Sequence, residues 1–567
     1  MKRDLEALAR QRFDLVVIGG GINGAATARH AALGGLKVAL LEARDFSSGT
    51  SSRSSKLIHG GLRYLEQYDF KLVHEARQER RRLQHLAPHL ARPVPFLLPI
   101  YEGGPFSPAK IRLGLNIYDL FGNLGPEDRH RMLAASEALE AMPTLRRDGL
   151  RAAAIYHDSG TDDARLTIET VVDAADHGAV VANYAEVRAI VSRENRVTAV
   201  EVEDTLSGRH FEVAGRFFVN AAGPWVDRVR ALVSGFDGSH TVRLTKGTHF
   251  VVPPVTGNLA LLAPVPGEDR IFVMWPWHGG AMLGTTDTDF EGDPAGVEPD
   301  QHDIDYLLRA ANSVFAEPLT IADVRCPWAG LRALVLEGPG KTPSAVTREY
   351  RLHQDPWALN MISICGGKLT TARALGEKLA HRVAELLQTT LNGSTRQAPF
   401  PGGHTGPFEP FLRRSVEEAQ RDFRLAAGVA ERIVRTYGSR WRAVLDPIHV
   451  RPELSEPIAD RAPGMSVAAV PSPPSSGAAA VSSAPPFGAG NSAAAAREGP
   501  LLAAEAAFAA DQEMALKPDD FLLRRSGLNW TGTLLGGASG AVARILEANG
   551  ARSGGSGAKA GRARTVR

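Results

Sequence analysis

Short apolar runs, a glycine-rich turn and a helix-prone segment follow one another near the start of the chain. Residues 13–18 (FDLVVI) form the first apolar run, and residues 36–41 form the second. Between them lie the turn at residues 19–24 (GGGING) and the alanine-rich segment at residues 25–33. This order predicts a strand, a turn, a helix and a second strand. Because both runs are largely apolar, the strands are predicted to lie in a parallel sheet that is buried on both faces.

Further along, the pattern changes twice. Residues 70–90 carry dense charges at helical spacing, and alternating positions over 180–220 and 242–286 predict strands joined by polar turns. From about residue 407 onward, the chain has the pattern of charged helices, for instance over 411–437 and 501–528. The chain is therefore predicted to place a strand-rich part before a helical one.

Two segments have compositions that do not favour a packed structure. Residues 462–496 contain no charged residue and consist almost wholly of Ala, Pro, Ser, Gly and Val. Such a segment cannot bury enough apolar surface to offset its ordering entropy, so it is predicted to be a disordered insertion. Residues 551–567 contain five basic residues and no acidic ones. This composition favours a solvated tail over a contact with acidic lipids.

Composition narrows the class of protein. With 567 residues the chain is long enough for two or three domains, and 65 basic against 63 acidic residues leave a net charge of +2, which gives no argument for a nucleic-acid partner. Cys326 and Cys365 are too few for a disulfide framework or a four-thiolate metal site, and no metal site is predicted. The first residues lack the pattern of a secretory signal, and no run of about 20 apolar residues follows. A cytoplasmic protein that touches a membrane only from one side is expected.

The glycine turn has the spacing of a dinucleotide-binding loop. Gly19, Gly21 and Gly24 form G-x-G-x-x-G between a predicted strand and a predicted helix, and Glu42 follows 18 residues after Gly24. The first glycine permits the turn, the second lets a pyrophosphate approach the backbone, and the third lets the helix pack on the strand. An acid at the end of the next strand can bind a ribose hydroxyl. The pattern predicts a dinucleotide, but it does not separate FAD from NAD.

A polar loop follows the second predicted strand. It carries more hydrogen-bonding side chains than a surface loop requires: Thr50, Ser51, Ser52, Ser54, Ser55 and Lys56. Gly60 and Gly61 then allow a close approach to the backbone. A flexible serine loop is the alternative, but the carboxyl ends of strands in a doubly wound sheet form the ligand crevice. The loop is therefore predicted to face the dinucleotide.

Eight segments together resemble one enzyme family and keep its order along nearly the whole chain. They are VVIGGGINGAATARHAA (16–32), TSSRSSKLIHGGLRYLEQYDFKLVHEA (50–76), DDARLT (162–167), NAAGPW (220–225), LTKGTHFVV (244–252), LGTTDTDFEGDP (283–294), GGKLTT (366–371) and DDFLLRRS (519–526). They are similar to the FAD-dependent glycerol-3-phosphate dehydrogenases of the respiratory, quinone-linked type. This family lies within the wider group of glycine oxidase and D-amino acid oxidase-like flavoproteins. Two features depart from it: Ala333, where the family usually has proline, and the insertion at 462–496.

The resemblance implies an α/β fold with three domains. A doubly wound, Rossmann-like FAD-binding domain is expected from residues 12–85, 150–235 and 345–396. An antiparallel-sheet substrate domain is expected from residues 86–149 and 236–344. A helical C-terminal domain is expected over 397–550, with the disordered insertion at 462–496 and a disordered tail at 551–567.

The resemblance also implies a reaction, the oxidation of sn-glycerol 3-phosphate to dihydroxyacetone phosphate with hydride transfer from carbon 2 to the flavin. His249 is expected to be the base for the hydroxyl proton, since a histidine suits that task near neutral pH. Arg63, Arg332 and Arg348 are expected to bind the phosphate and the alkoxide, because arginine presents several donors in one plane. Lys368 is expected to stabilise negative charge.

The alternatives to these roles are structural ones: a hydrogen-bonded core histidine, surface ion pairs for each arginine and an exposed lysine. The resemblance adds Tyr64 to the substrate contacts. It implies flavin contacts from Gly19, Gly21, Gly24, Glu42, Thr50, Ser51, Ser52, Lys56, Leu57, His59, Gly60, Gly61, Ala222, Gly223, Trp225, Gly367, Lys368, Leu369 and Thr370. Asp287 and Cys365 are expected to be structural.

The electron acceptor and the assembly stay open at this point. The resemblance implies a membrane quinone and a location on the inner face of the cell membrane, and a homodimer is compatible with it. An oxidase that uses oxygen is the close alternative. The more distant alternatives are a non-catalytic flavoprotein, an amine or amino-acid oxidase of the same fold and an NAD enzyme. The set of His249, Arg63, Arg332, Arg348 and Lys368 argues against the first, and an amine or amino-acid oxidase would need a carboxylate clamp and less cationic charge. An NAD enzyme would have a nicotinamide site rather than the serine-rich loop.

Overall fold

The structure is a computed structural model that describes residues 1–61, 70–122, 129–336, 349–458, 501–526 and 538–555. The insertion predicted at 462–496 lies outside the described residues, as does residue 556 onward of the predicted tail. Residues 551–555 continue the last helix.

The strands, in chain order, are β1 (Arg12–Ile18), β2 (Val38–Leu41), β3 (Leu57–Ile58), β4 (Arg92–Tyr101), β5 (Arg131–Ala134), β6 (Leu150–Gly160), β7 (Val180–Ala182), β8 (Ala185–Arg193), β9 (Arg196–Asp204), β10 (Arg209–Asn220), β11 (Val242–Val252), β12 (Ala260–Pro264), β13 (Ile271–Trp277), β14 (Gly280–Gly284), β15 (Thr288–Asp289), β16 (Arg325–Val335), β17 (Arg351–His353) and β18 (Met361–Cys365).

The α-helices are α1 (Leu5–Arg10), α2 (Ile22–Leu33), α3 (Phe70–Leu86), α4 (Pro108–Gly122), α5 (Ala135–Ala141), α6 (Asp163–Asp176), α7 (Val226–Arg230), α8 (Gln301–Asn312), α9 (Ala372–Leu386), α10 (Phe408–Phe423), α11 (Ala427–Tyr437), α12 (Trp441–Leu445), α13 (Ala503–Glu513), α14 (Pro518–Arg524) and α15 (Ala538–Gly555). Among the described residues, none of these helices combines the length and the apolar character that crossing a membrane requires.

The first sheet has the strand order β17-β18-β10-β1-β2-β7, and β9 and β8 extend it from β10. The strands from β18 to β7 run parallel, and β1 lies between β10 and β2 with Ile18 level with both Leu41 and Asn220. Helices α2, α6 and α9 pack with its apolar residues in one core. The doubly wound parallel sheet predicted from the sequence is confirmed. Because the strand ends are level, the residues that follow β1, β2 and β10 meet at one edge.

The second sheet has the order β15-β11-β14-β13-β12-β4-β6-β3, with β16 paired to β11 and β5 paired to β6. All its pairs are antiparallel except β12 with β4. This agrees with the expected antiparallel-sheet domain. One segment differs from the expected division of the chain: Leu150–Gly160 was assigned to the FAD-binding domain, but this strand pairs along its length with Arg92–Tyr101 in the second sheet. The backbone hydrogen bonds between these two strands, which sequence alone does not reveal, place Leu150–Gly160 in the second sheet.

The C-terminal helices α10 to α15 share an apolar core, which confirms the predicted helical region. Buried ion pairs connect this region to the first part of the chain. Arg165 on α6 donates to both carboxylate oxygens of Glu513, each at 2.6 Å. Arg525 donates to both oxygens of Asp45, which lies three residues after Glu42. The motifs DDARLT and DDFLLRRS thus contribute structural contacts between separate regions.

Candidate active site

The glycine turn lies where β1, β2 and β10 end. Gly19 has a φ of +111°, and a Cβ there would lie 2.6 Å from the carbonyl oxygen of Ala221. A Cβ on Gly24 would lie 2.0 Å from the carbonyl oxygen of Gly19. Gly21 is different, because the nearest atom to a Cβ there is the Ser51 hydroxyl at 3.1 Å. Close contacts with backbone atoms therefore require glycine at positions 19 and 24. At position 21, the absence of a side chain leaves space open on the side that faces the cleft.

Helix α2 directs its first amides at this cleft. Gly21 is its N-cap, and the N–H of Ile22 donates to Oγ of Ser51 at 2.9 Å. The first amides of a helix have no partners within the helix and carry the positive end of its dipole, so they favour an anion such as a pyrophosphate. The hydroxyl oxygen of Ser51, a predicted flavin contact, therefore lies at the N-terminal end of the helix, where an anion would bind.

Glu42 follows β2 and faces the same cleft. Its Oε2 accepts from the N–H of Gly20 at 2.7 Å, and its Oε1 accepts from the N–H of Arg44 at 2.9 Å. Burial raises the pKa of Glu42, while the two backbone hydrogen bonds act in the opposite direction. Each oxygen keeps a further lone pair, so the carboxylate is held in place for a ribose hydroxyl.

The cleft as a whole has a volume of about 860 Å³, within the range of ligand pockets. Both sheets contribute to it. The predicted flavin contacts that line it are Gly19, Gly21, Glu42, Thr50, Ser51, Leu57, His59, Gly61, Ala222, Gly223, Trp225, Gly367, Lys368, Leu369 and Thr370. The glycine turn, the free face of Gly21, the helix amides and Glu42 together fit a dinucleotide such as FAD.

Four predicted contacts lie behind the lining instead: Gly24, Ser52, Lys56 and Gly60. Lys56 is fully buried, and its ammonium donates to Oδ1 of Asp163 at 2.5 Å and to the carbonyl of Ser52 at 3.0 Å. The amide of Gly60 donates to Asp158 at 2.9 Å, and a Cβ on Gly60 would lie 2.2 Å from the hydroxyl of Tyr118. These residues shape the wall of the cleft, and a direct flavin contact from them stays a prediction.

His249 is held between two neighbouring strands. In the register of the second sheet, it faces Trp328 on β16 and Gly284 on β14. Its ring is nearly parallel to Trp328, with an angle of 12° and 5.4 Å between the centroids. A Cβ on Gly284 would lie 2.1 Å from Cδ2 of His249, so only glycine leaves room for the ring. The Nε2 atom lies 2.9 Å from Oγ of Ser55, and both residues line the cleft.

The imidazole of His249 is neutral. Burial lowers its pKa, the positive charges of Arg332 and Lys56 lower it further, and together they bring it to about 3. A neutral ring has a nitrogen with a free lone pair, which is the form that accepts a proton.

Arg332 lies on β16 with its guanidinium over Gly247, since a Cβ on that glycine would be 2.4 Å from Nη2. Its Nη2 donates to Oγ1 of Thr285 at 2.9 Å, and its Nη1 donates to Oδ1 of Asp287 at 3.2 Å. The side chain is 26% exposed and lines the cleft. Arg332 therefore places a positive charge, held in position by Thr285 and Asp287, in the same cleft as His249.

Lys368 follows strand β18 and lines the cleft with Gly367. Gly366 and Gly367 have φ values of +84° and +107°, and the side-chain amide of Asn23 donates to the carbonyl of Gly366 at 3.2 Å. This turn brings the GGKLTT segment next to the start of helix α2. Arg63, Tyr64 and Arg348 lie outside the described residues, so their roles stay predictions.

Two residues of this site, Trp328 and Gly284, are not predicted from the sequence, and the pairing of Ser55 with His249 is not predicted either. Asp287 was expected to be structural, and its ion pair with Arg332 gives it a place at the site. Ser55 lies within the segment 50–76 that resembles the family, and this resemblance was the one sequence signal that pointed to the residue. Trp328 and Gly284 meet His249 only through strand register, which no local pattern reveals.

Comparisons with known proteins agree with this geometry. The family described as FAD dependent oxidoreductase matches residues 14–382. An aerobic glycerol-3-phosphate dehydrogenase from Bacillus subtilis is 33% identical over 545 residues, which covers 94% of this chain and 91% of the relative. A protein of the same name from Staphylococcus haemolyticus is 37% identical over 444 residues, which covers 76% of this chain and 79% of the relative.

One solved structure is similar over most of its length. It is the glycerol-3-phosphate dehydrogenase from Bacillus halodurans complexed with FAD, with a TM-score of 0.72 and 29% identity. The match covers 96% of this chain and 92% of that one. The similarity therefore includes the C-terminal helices as well as the two sheets.

Proposed function

Because this chain belongs to the family of FAD-dependent oxidoreductases, we propose that it oxidises sn-glycerol 3-phosphate to dihydroxyacetone phosphate. The observation that carries the proposal is the pairing of a neutral imidazole, His249, with a held cation, Arg332, on the cleft that the glycine turn opens. Relatives that cover most of the chain are named glycerol-3-phosphate dehydrogenases, which supports the same substrate.

The cofactor supplies one part of the chemistry: when bound, FAD is the hydride acceptor for carbon 2 of the substrate. Gly21, the N-terminal end of helix α2 and Glu42 would hold its pyrophosphate and ribose. The wall formed by Lys56, Asp163 and Gly60 keeps the polar loop in place beside it.

The proton of the substrate hydroxyl goes to His249 in this proposal. Nε2 faces Ser55 Oγ at 2.9 Å, and this edge of the ring borders the cleft, so a hydroxyl placed beside Ser55 reaches the nitrogen. Stacking on Trp328 and contact with Gly284 fix the plane of the ring before the substrate enters. A base that is already oriented does not lose rotational freedom in the transition state.

Binding of the substrate also changes the charge around the imidazole. Arg332 lowers the pKa of His249 in the chain alone. A dianionic phosphate beside Arg332 offsets the charge of the guanidinium, so the pKa of the imidazole rises when the base is needed. We propose that Arg63, Arg348, Tyr64 and Lys368 complete the set of groups that bind the phosphate and the oxygen at carbon 2.

A comparison of phosphorylated and unphosphorylated substrate tests this assignment. Glycerol 3-phosphate is expected to bleach the flavin absorbance under anaerobic conditions, with a kcat/KM roughly 10⁴-fold above that of glycerol, because glycerol lacks the phosphate that makes charge-assisted hydrogen bonds to the arginine side chains. Arg332→Gln should reduce this ratio. The exposed Arg325 on the same strand provides the control, and Arg325→Gln should leave the ratio unchanged. Equal efficiency on both substrates in the unmodified chain would refute the phosphate clamp.

We further propose that the electrons pass to a membrane quinone, with the protein bound peripherally on the inner face of the cell membrane. The names of the relatives support a dehydrogenase rather than an oxidase. In the oxidase alternative, oxygen takes the electrons directly.

Stopped-flow reoxidation separates the two acceptors. Enzyme reduced by glycerol 3-phosphate is mixed either with a short-chain soluble quinone or with air-saturated buffer at equal acceptor concentration. Reoxidation by the quinone is expected to be at least about tenfold faster, a difference of about 1.4 kcal/mol in barrier height. Rapid reoxidation by oxygen with one hydrogen peroxide released per turnover would assign the chain to the oxidases instead.

A further inference from the structure

A cluster of metal-ligand side chains lies on helices α2 and α9, apart from the residues that line the cleft. It consists of His30 near the end of α2 and of Glu377 and His381, one turn apart on α9. One ligand atom from each residue lies within 4.8 Å of the other two. Two imidazoles and one carboxylate are a ligand set that Zn²⁺ takes in proteins.

The ring of His30 is oriented by its neighbour. Its Nδ1 lies 2.9 Å from Oγ1 of Thr395, and the residue is completely buried. Its Nε2 is also buried and has no hydrogen-bond partner within the part of the chain that the structure describes. A buried polar atom without a partner is costly, and a metal ion would satisfy it. The bond to Thr395 is the outer contact that commonly orients a ligating histidine.

Two arginine side chains hold the carboxylate of Glu377 in place. Arg396 donates to Oε1 at 2.8 Å and to Oε2 at 3.0 Å, and Arg373 donates to Oε2 at 3.0 Å. Oε1 accepts only one of these hydrogen bonds and keeps a lone pair for an ion. The two guanidinium charges oppose any cation, so they select against ions that bind through charge alone, such as Mg²⁺ and Ca²⁺. The site therefore favours transition-metal ions, which bind strongly to imidazole nitrogen.

We propose that His30, Glu377 and His381 form a binding site for a divalent transition-metal ion, with Zn²⁺ as the best chemical match and water as the fourth ligand. Ligand atoms lie about 2 Å from Zn²⁺, so the cluster must contract slightly on binding. His381 is exposed, and its ring centroid lies 5.3 Å from that of His30.

The ion would fasten together two helices that both begin at the cleft. Helix α2 follows the glycine turn, and α9 follows the GGKLTT segment. The helices touch closely, since a Cβ on Gly376 would lie 2.5 Å from the carbonyl carbon of Ala26. A metal that joins His30 to α9 therefore stabilises the folded chain and leaves the residues of the cleft untouched. His30 and His381 are far apart along the chain, so the sequence alone does not bring them together, and no metal site was predicted from it.

The test uses the FAD-loaded enzyme without a histidine tag, freed of metals by a chelator, and Zn²⁺ alone as the probe. Calorimetric titration is expected to give one Zn²⁺ per chain, and thermal unfolding should shift to higher temperature with Zn²⁺ but not with Mg²⁺. His381→Ala should weaken binding by at least about tenfold and remove the thermal shift, with turnover unchanged. His302→Ala, which removes an exposed histidine from helix α8, serves as the matched control and should bind as the unmodified chain does.

Two results would overturn the proposal. One is the absence of saturable binding of Zn²⁺ up to about 100 µM, a concentration far above that needed by protein sites of this ligand type. The other is binding by His381→Ala with the affinity and stoichiometry of the unmodified chain. Because His381 is exposed, its loss leaves the fold intact, so either result is interpretable.

Discussion

Replacing His249 by alanine is expected to slow anaerobic reduction of bound FAD by glycerol 3-phosphate by about 100- to 10,000-fold, the usual cost of removing a general base. The variant should still bind FAD, because His249 belongs to the second sheet and the glycine turn to the first. Single-turnover absorbance measures the rate, and the spectrum of the purified variant measures the bound flavin.

Two further variants separate the chemistry of the ring from its position. His249→Asn keeps a hydrogen-bonding group near Ser55 but removes the basic nitrogen, so it should be nearly as slow as the alanine variant. Gly284→Ala keeps the imidazole but displaces it, since a Cβ there would lie 2.1 Å from the ring. This variant should lose part of the rate. Near-normal reduction by His249→Asn would mean that the histidine only supports the strand, and that Lys368 or a water held by Arg332 is the base.

The pH profile of the same reaction follows from the charge state of His249. Its pKa is lowered to about 3, so the ring is neutral and competent above that value and is lost as a base only when the pH falls toward it. At substrate concentrations well below KM, where the rate reports the free enzyme, the second-order rate constant for flavin reduction in the unmodified chain should change by less than about twofold between pH 6 and 8, where an ordinary imidazole titrates. A tenfold fall per pH unit below about 6.5 would show that the imidazole has an ordinary pKa.

Replacing Gly21 by valine is expected to abolish FAD binding, with loss of the flavin absorbance from the purified protein. The β-branched side chain would fill the space where the pyrophosphate approaches the backbone. The folded chain itself tolerates the change, because a Cβ at this position meets only the hydroxyl of Ser51. Circular dichroism should therefore show intact secondary structure in a colourless protein.

The same substitution elsewhere provides the control. Gly114 on helix α4 has nothing within 4 Å of a Cβ, so Gly114→Val should fold and keep its flavin. A Gly21→Val protein that retains a stoichiometric flavin would show that the pyrophosphate lies elsewhere in the cleft. Gly24 is not a useful site for this test, since a side chain there collides with the backbone of Gly19 whether or not a cofactor is bound.

Local sequence patterns were sufficient for the framework of this fold. The glycine turn, the apolar runs beside it and Glu42 lie within 30 residues of one another, so their spacing alone predicts strand, helix and ligand edge. Local patterns also predicted the helical C-terminal region, whereas the antiparallel-sheet domain and the reaction came from the resemblance to a known family. The assignment of Leu150–Gly160 differed, because nothing local decides which of two sheets a strand joins.

Within the site, too, the sequence reveals local features but not the partners that lie far away along the chain. Lys56 stands among serines in a polar loop, so the sequence predicts that it faces the flavin. The sequence does not reveal that its charge is held by Asp163, which lies 107 residues away along the chain. Partners at such separation are invisible to a linear pattern, and a buried cation needs one. For the same reason, the ring of His249 was predicted without the Trp328 and Gly284 that fix its plane.

The ion pair between Asp45 and Arg525 has a consequence for the synthesis of the protein. The two residues are 480 positions apart, and the carboxylate is buried. At about 5–20 residues per second, a ribosome needs roughly 20–100 s to add Arg525 after Asp45. A buried carboxylate without its partner costs about 3–5 kcal/mol, a large share of the stability of a domain. The glycine-turn domain therefore cannot reach its final stability until Arg525 has left the ribosome.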